Sequence, residues 1–126
     1  VTPKSAMHAE GRTANMPHAI TLMQPAVGGK RQTLMEMHPE TAKARGIKDG
    51  DTVKVSTDLG SINAVVRVTE LTRPDTVVLP FEHGHWAHGR WAKGRGSFVD
   101  SIIANQSDRI SGMASYYTAK VKVERA

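Results

Sequence analysis

The chain has 126 residues, 39% of them hydrophobic, with a formal net charge of +5 and no cysteine. This length suits one domain, residues 1–126, with a core of its own, and the lack of cysteine excludes disulfides, thiolate zinc sites and iron–sulfur ligation from the segment. No apolar run approaches the roughly 20 residues of a membrane span and no basic-then-apolar leader is visible, so direct membrane insertion is not expected; the positive charge favours an anionic partner, whether nucleic acid, an acidic protein surface or a phosphorylated cofactor.

Val1 to Lys4 reads as the end of a strand, and Ser5 to Pro17 (SAMHAEGRTANMP) is a polar, small-residue loop without a sustained period. His18 to Met23 fits either a strand or a short helix, Pro25 to Gly29 interrupts it, and Thr33 to Met37 reads as a short apolar strand. Met23, Met35 and Met37 are assigned to adaptable core packing, because a metal-binding role would need further soft ligands nearby.

From His38 to Leu59 the punctuation is dense. Pro39 suits a first helical turn, where its missing N–H costs nothing, and Gly46 suits the left-handed position past the last turn, so a helix is predicted over Pro39 to Arg45. Ile47 gives an apolar anchor, Asp49-Gly50-Asp51 a turn, and Thr52 to Thr57 a strand whose Val53 and Val55 alternate with polar residues. After a turn at Asp58-Leu59-Gly60, Ser61 to Thr69 alternates again, with Ile62, Ala64, Val66 and Val68 inward and Asn63, Val65 and Arg67 outward, which predicts a hairpin. Val77 to Leu79 is a continuous apolar strand closed by Pro80.

Phe81 to Ser97 (FEHGHWAHGRWAKGRGS) gathers three histidines, both tryptophans and the cations Arg90, Lys93 and Arg95 among glycines. His83, His85 and His88 are spaced as in the metal motif of the metallo-β-lactamase fold. Ala87 stands where that motif carries an acidic residue, and the chain lacks room for that fold's remaining ligands, so no metal ligand is assigned here. Ser97-Phe98-Val99-Asp100 has the shape of a capping box, with Phe98 and Ile102, and Val99 and Ile103, as the apolar side of a short helix. Ala119 to Glu124 alternates as a last strand, with Val121 and Val123 inward. The predicted core is Ile47, Val53, Val55, Ile62, Val66, Val68, Val121 and Val123. Short strands, one short helix and long polar loops argue for a mainly β domain, a small barrel.

His38-Pro39, Ala42, Ala44, Gly46-Ile47, Asp49-Gly50-Asp51, Gly60 and Arg73-Pro74, in that order, make the chain resemble the C-terminal domain of molybdopterin oxidoreductases of the dimethyl sulfoxide reductase family. The resemblance implies a double-psi β-barrel with one or two short helices that binds a molybdopterin guanine dinucleotide cofactor. It further implies that molybdenum or tungsten is held mainly by that cofactor and by other domains or subunits of a larger oxidoreductase, so no catalytic or metal-binding residue is assigned in this chain. By position, the first loop (Lys4, Ser5, His8, Arg12, Thr13 and Asn15) inherits contact with the pterin and pyrophosphate. The loop after the third strand (His83, Gly84, His85 and Trp86) and the late turn (Asn105 and Asp108) inherit further cofactor contacts. Imidazole, amide and backbone N–H groups suit pterin and phosphate oxygens, and a carboxylate suits the guanine amino group. The His-rich loop is similar to that of members reducing inorganic sulfur compounds or oxyanions in anaerobic respiration.

The alternative is a basic barrel that binds nucleic acid, with Trp86 and Trp91 stacking on bases and Arg and Lys following phosphate. Such barrels place aromatics on strand faces, whereas both tryptophans here fall in one glycine-rich loop, and nucleic acid is therefore not the expected partner. An aspartate-decarboxylase-like barrel enzyme would need a self-processing Gly-Ser step, and Gly60-Ser61 reads only as a turn.

Overall fold

The computed structural model describes residues 1–3, 13–19, 26–27, 30–81, 83–84, 89–115 and 119–126. Strands β1 (Ala26–Val27) and β2 (Lys30–Arg31) form a small antiparallel ribbon. The main sheet has five strands: β3 (Leu34–Met37), β4 (Thr52–Thr57), β5 (Gly60–Val68), β6 (Val77–Val78) and β7 (Lys122–Arg125), in the order β6-β3-β5-β4-β7. Among the described residues the domain is mainly β, as expected.

β4 and β5 form the predicted hairpin, from Thr52 opposite Val65 to Thr57 opposite Gly60. β3 runs parallel to β5, Leu34 beside Val65 and Met37 beside Val68. Parallel neighbours need a connection that returns to the starting end of the sheet, and here the central helix, Pro39–Ala44, leads into β4, which runs back antiparallel to β5 before the hairpin turns into it. Pro39 starts this helix, the His38 imidazole Nδ1 accepts from the Glu40 N–H at 3.2 Å, and Gly46 past its end has φ 65°. The following turn is sewn onto the far end of β5. Asp49 Oδ1 accepts from the Val68 N–H at 2.7 Å, the Gly50 N–H donates to the Val66 carbonyl at 2.8 Å, and the Val66 N–H donates to the Asp51 carbonyl at 2.9 Å. Each of these bonds satisfies a backbone group that would otherwise end the ladder unpaired.

The core joins Met35 and Met37 of β3, Val53 and Val55 of β4, and Ile62, Ala64 and Val66 of β5, to Ala42, Ile47, Leu79, Val99, Ile102 and Val123. Every residue of the predicted core belongs to this cluster or packs against it, Val68 and Val121 being the partly buried ones. Val65 departs from the expected alternation. It lies outside the cluster yet is only 3% exposed, so chain also covers the second face of the sheet at this point.

Two local expectations are corrected. The last strand begins later than Ala119, at Lys122, and runs to Arg125. The helix after Ser97 is a single 3-10 turn, Val99–Ile102, without the predicted capping box: Phe98 caps it with no side-chain bond, and the Ser97 hydroxyl donates instead to the Asn63 carbonyl. With three residues per turn, Val99 and Ile102 share one face and are buried, while Phe98 is 46% exposed. Residues 1–3 form no strand and Lys4 lies outside the described residues, but the Val1 nitrogen donates to the Val77 carbonyl and the Leu79 N–H to the Val1 carbonyl, both at 2.9 Å, so Val1 lies alongside β6.

Candidate functional site

Of the residues assigned to the first loop, Thr13 and Asn15 are described, whereas Lys4, Ser5, His8 and Arg12 lie outside the described residues. The Thr13 carbonyl accepts from the Met16 N–H at 2.9 Å and closes a turn that projects Asn15. The side chain of Asn15 reaches 76 positions along the chain, where its Oδ1 accepts from the Trp91 N–H at 2.8 Å and from the Ala92 N–H at 3.1 Å. Gly89, at φ 90°, lies directly beneath it: a Cβ there would sit 2.5 Å from Asn15 Oδ1. The first loop and the basic loop are thereby joined through one amide oxygen.

That basic loop has a defined form. The Lys93 N–H donates to the Gly89 carbonyl at 3.2 Å and the Arg95 N–H to the Ala92 carbonyl at 3.1 Å, giving consecutive turns. The guanidinium carbons of Arg90 and Arg95 each lie 5.5 Å from the centre of the Trp91 ring. Such cation–π contacts hold the cations to one aromatic anchor at about 0.5–1 kcal/mol apiece on an exposed site. Gly94, at φ 72°, has nothing within 4 Å of its missing side chain, so backbone there is open to approach.

His83 is buried, and Gly84, at φ 87°, packs so closely on the Ser97–Phe98 backbone that a Cβ would fall on Phe98 N. Ser97 is pinned in turn, its N–H donating to the Thr33 hydroxyl at 2.7 Å. His85 and Trp86, with His88, lie outside the described residues. Among the described residues, no group of three or more His, Asp or Glu side chains is placed to hold a metal ion.

Asn105 and Asp108 belong to a turn at the β4–β5 end, tied to it where the Thr57 hydroxyl donates to the Ile102 carbonyl at 3.0 Å. Asp108 Oδ1 accepts from the Ser111 N–H at 2.7 Å, the Ser111 hydroxyl at 2.9 Å and the Ile110 N–H at 3.1 Å. The Ser111 backbone bond above all, with the Ser111 hydroxyl and the Ile110 N–H, holds the Asp108 carboxyl below the usual carboxylate range. Asn105 is exposed, and its neighbours Ala104 and Gln106 line a groove of about 640 Å³ between the β4–β5 turn and residues 119–122.

Two of the three predicted segments therefore meet through the basic loop: Asn15 at its start, and His83-Gly84 at its end through Ser97 and Phe98. The Asn105–Asp108 turn follows one 3-10 turn later. Thr33 and Gly89, which hold the loop at either end, escaped the sequence reading. Gly89 and Gly94 bracketing a run of Arg, Trp and Lys was the available signal for a structured loop; an isolated Thr at a strand entry carries none. The donor set fits a phosphorylated dinucleotide, with cations on a preformed turn, approachable backbone at Gly94 and an exposed amide at Asn105.

Residues 8–120 match the family model described as "Molydopterin dinucleotide binding domain". The chain is 33% identical over 133 residues to the arsenate respiratory reductase molybdopterin-containing subunit ArrA of Shewanella sp. (strain ANA-3), covering 99% of this chain and 16% of that protein. It is also 33% identical over 135 residues to ArrA of Chrysiogenes arsenatis, covering 98% of this chain and again 16% of the relative. Among solved structures, acetylene hydratase from Pelobacter acetylenicus superposes with a TM-score of 0.58 at 16% identity, over 75% of this chain and 14% of that one, a likeness of fold. The chain thus spans about a sixth of the length of these curated relatives. Among the described residues no helix is long and apolar enough to cross a membrane.

Proposed function

The chain belongs to the molybdopterin dinucleotide-binding family of the molybdenum oxidoreductases, and from that premise we propose that it is the C-terminal cofactor-holding domain of a larger subunit that reduces an inorganic oxyanion. The observation that carries this reading is the family match over residues 8–120, which contains the first loop from His8 onward, the basic loop and the Asn105–Asp108 turn. It favours a cofactor over nucleic acid as the anionic partner. The arsenate reductase subunits among the relatives support an oxyanion as substrate.

In this reading the cofactor is a guanine dinucleotide and the sheet closes into a double-psi barrel. Thr13, His83 and Gly84 contact the cofactor, and Lys4, Ser5, His8, Arg12, His85 and Trp86, which lie outside the described residues, share that role by their place in the family pattern. Asn105 offers its amide to the guanine or ribose end. Asp108 orders the turn that carries Asn105, since its Oδ1 already accepts from Ser111 and Ile110. When bound, the cofactor supplies the redox-active metal. The residues of this chain bind it and orient it against the other domains.

The test is chemical analysis of the full-length protein that contains this chain. Acid treatment of the purified protein should release guanine nucleotide, with molybdenum or tungsten present in proportion. Protein that is folded and metal-loaded but yields no guanine nucleotide would overturn the assignment.

A further inference from the structure

We propose that Asn15 is a positioning residue: it shapes the Gly89–Arg95 loop so that Arg90 and Lys93 are held for a phosphate of the bound dinucleotide, without itself touching it. The inference rests on the cofactor reading above and goes beyond it by assigning the phosphate to the basic loop and the loop's shape to a residue far away in sequence.

Three observations carry it. One carbonyl oxygen on Asn15 takes the N–H groups of two successive residues, Trp91 at 2.8 Å and Ala92 at 3.1 Å, in the manner of an anion-binding turn filled by a side chain. Gly89 has no side chain at the one place where a Cβ would collide with that oxygen, and its φ of 90° is one that glycine adopts without strain. The loop so fixed carries Arg90, Lys93 and Arg95 within six positions, with the Arg90 and Arg95 guanidinium carbons each 5.5 Å from the centre of the Trp91 ring. Arg90 and Lys93, three positions apart on this fixed turn, can both reach one phosphate of a pyrophosphate, and charge-assisted bonds to its oxygens favour that anion within the proposed site. A loop free to rearrange would lose this advantage, because ordering it would cost conformational entropy at the moment of binding. The Asn15 staple removes that cost in advance.

The experiment compares the full-length wild-type protein with Asn15→Leu, Asn15→Asp and the double variant Arg90→Gln/Lys93→Gln. It measures amide hydrogen exchange across residues 89–95 and guanine nucleotide retained per polypeptide. Asn15→Leu should exchange about tenfold faster at Trp91 and Ala92 and retain about threefold less nucleotide. Asn15→Asp, which keeps an acceptor oxygen in place, should restore both. The double charge variant should lose nucleotide whether or not exchange changes. Unaltered exchange in Asn15→Leu would disprove the staple. Wild-type nucleotide content in the double variant would disprove the phosphate contact while leaving the cofactor reading intact, whereas that reading fails only if the wild-type protein itself releases no guanine nucleotide.

Discussion

Ser97 donates its backbone N–H to the side-chain oxygen of Thr33 at 2.7 Å, across 64 positions of sequence. Both residues are buried, and the Ser97 hydroxyl donates onward to the Asn63 carbonyl of β5. The exit of the basic loop is thereby fastened to the strand entry beside β3 and to the centre of the sheet. Thr33→Val keeps the shape but leaves the Ser97 N–H without its acceptor, which should cost about 1–3 kcal/mol. Thr33→Ser, which keeps the oxygen, should cost less. Denaturant unfolding of the two variants would check this, and equal losses would mean that the bond contributes little.

Glycines of the same loop should differ sharply in their tolerance of alanine. Gly84 and Gly94 both have positive φ, 87° and 72°, so each substitution carries the left-handed penalty of about 1–2 kcal/mol. At Gly94 nothing lies within 4 Å of the new Cβ, whereas at Gly84 it would meet the Phe98 backbone, which cannot rotate aside. Gly84→Ala should therefore lower the melting temperature well beyond Gly94→Ala. Comparable melting curves would show that the Ser97–Phe98 backbone yields easily.

Val66 lies in the core cluster at 1% exposure, while Leu71, in the loop after β5, is 90% exposed. Val66→Asp should prevent folding, because it places a charge in the apolar interior. Leu71→Asp should change stability by no more than about 0.5 kcal/mol. Circular dichroism and cooperative melting distinguish the two outcomes, and a cooperatively folded Val66→Asp protein would mean that the phase of β5 is wrong.

Asp108 provides a pH-dependent readout. Its bonds from the Ser111 N–H, the Ser111 hydroxyl and the Ile110 N–H favour the ionised carboxylate in the folded chain, so its folded pKa lies below the unfolded one. The contribution to stability is complete above the unfolded pKa and disappears as pH falls through the lower, folded one. Titration of the Asp108 carboxyl carbon by NMR should give a midpoint below that of an ordinary aspartate. Ser111→Ala should move that midpoint upward by removing the hydroxyl bond. A midpoint unchanged by Ser111→Ala would assign the shift to the backbone bonds alone.

What the sequence by itself determined is what neighbouring residues decide among themselves. Pro39 and Gly46 bound the central helix, the alternation of Val53 and Val55 against Ile62, Ala64 and Val66 sets the hairpin and its buried face, and Asp49-Gly50 makes the turn. These depend on φ, on side-chain period and on short-range hydrogen bonds, all legible in a window of a few residues. Tertiary structure alone decided the parallel pairing of β3 with β5, because it brings together strands that share no local pattern. It also buried Val65 on the face that alternation assigned to solvent. The same division runs through the candidate site. That Asn15, Ser97 and Gly89 mattered could be suspected from a polar, glycine-rich loop, but what each does depends on which distant backbone lies opposite: Trp91 and Ala92 for Asn15, Thr33 for Ser97. A polar side chain names its donors and acceptors in the sequence; the folded chain chooses their partners.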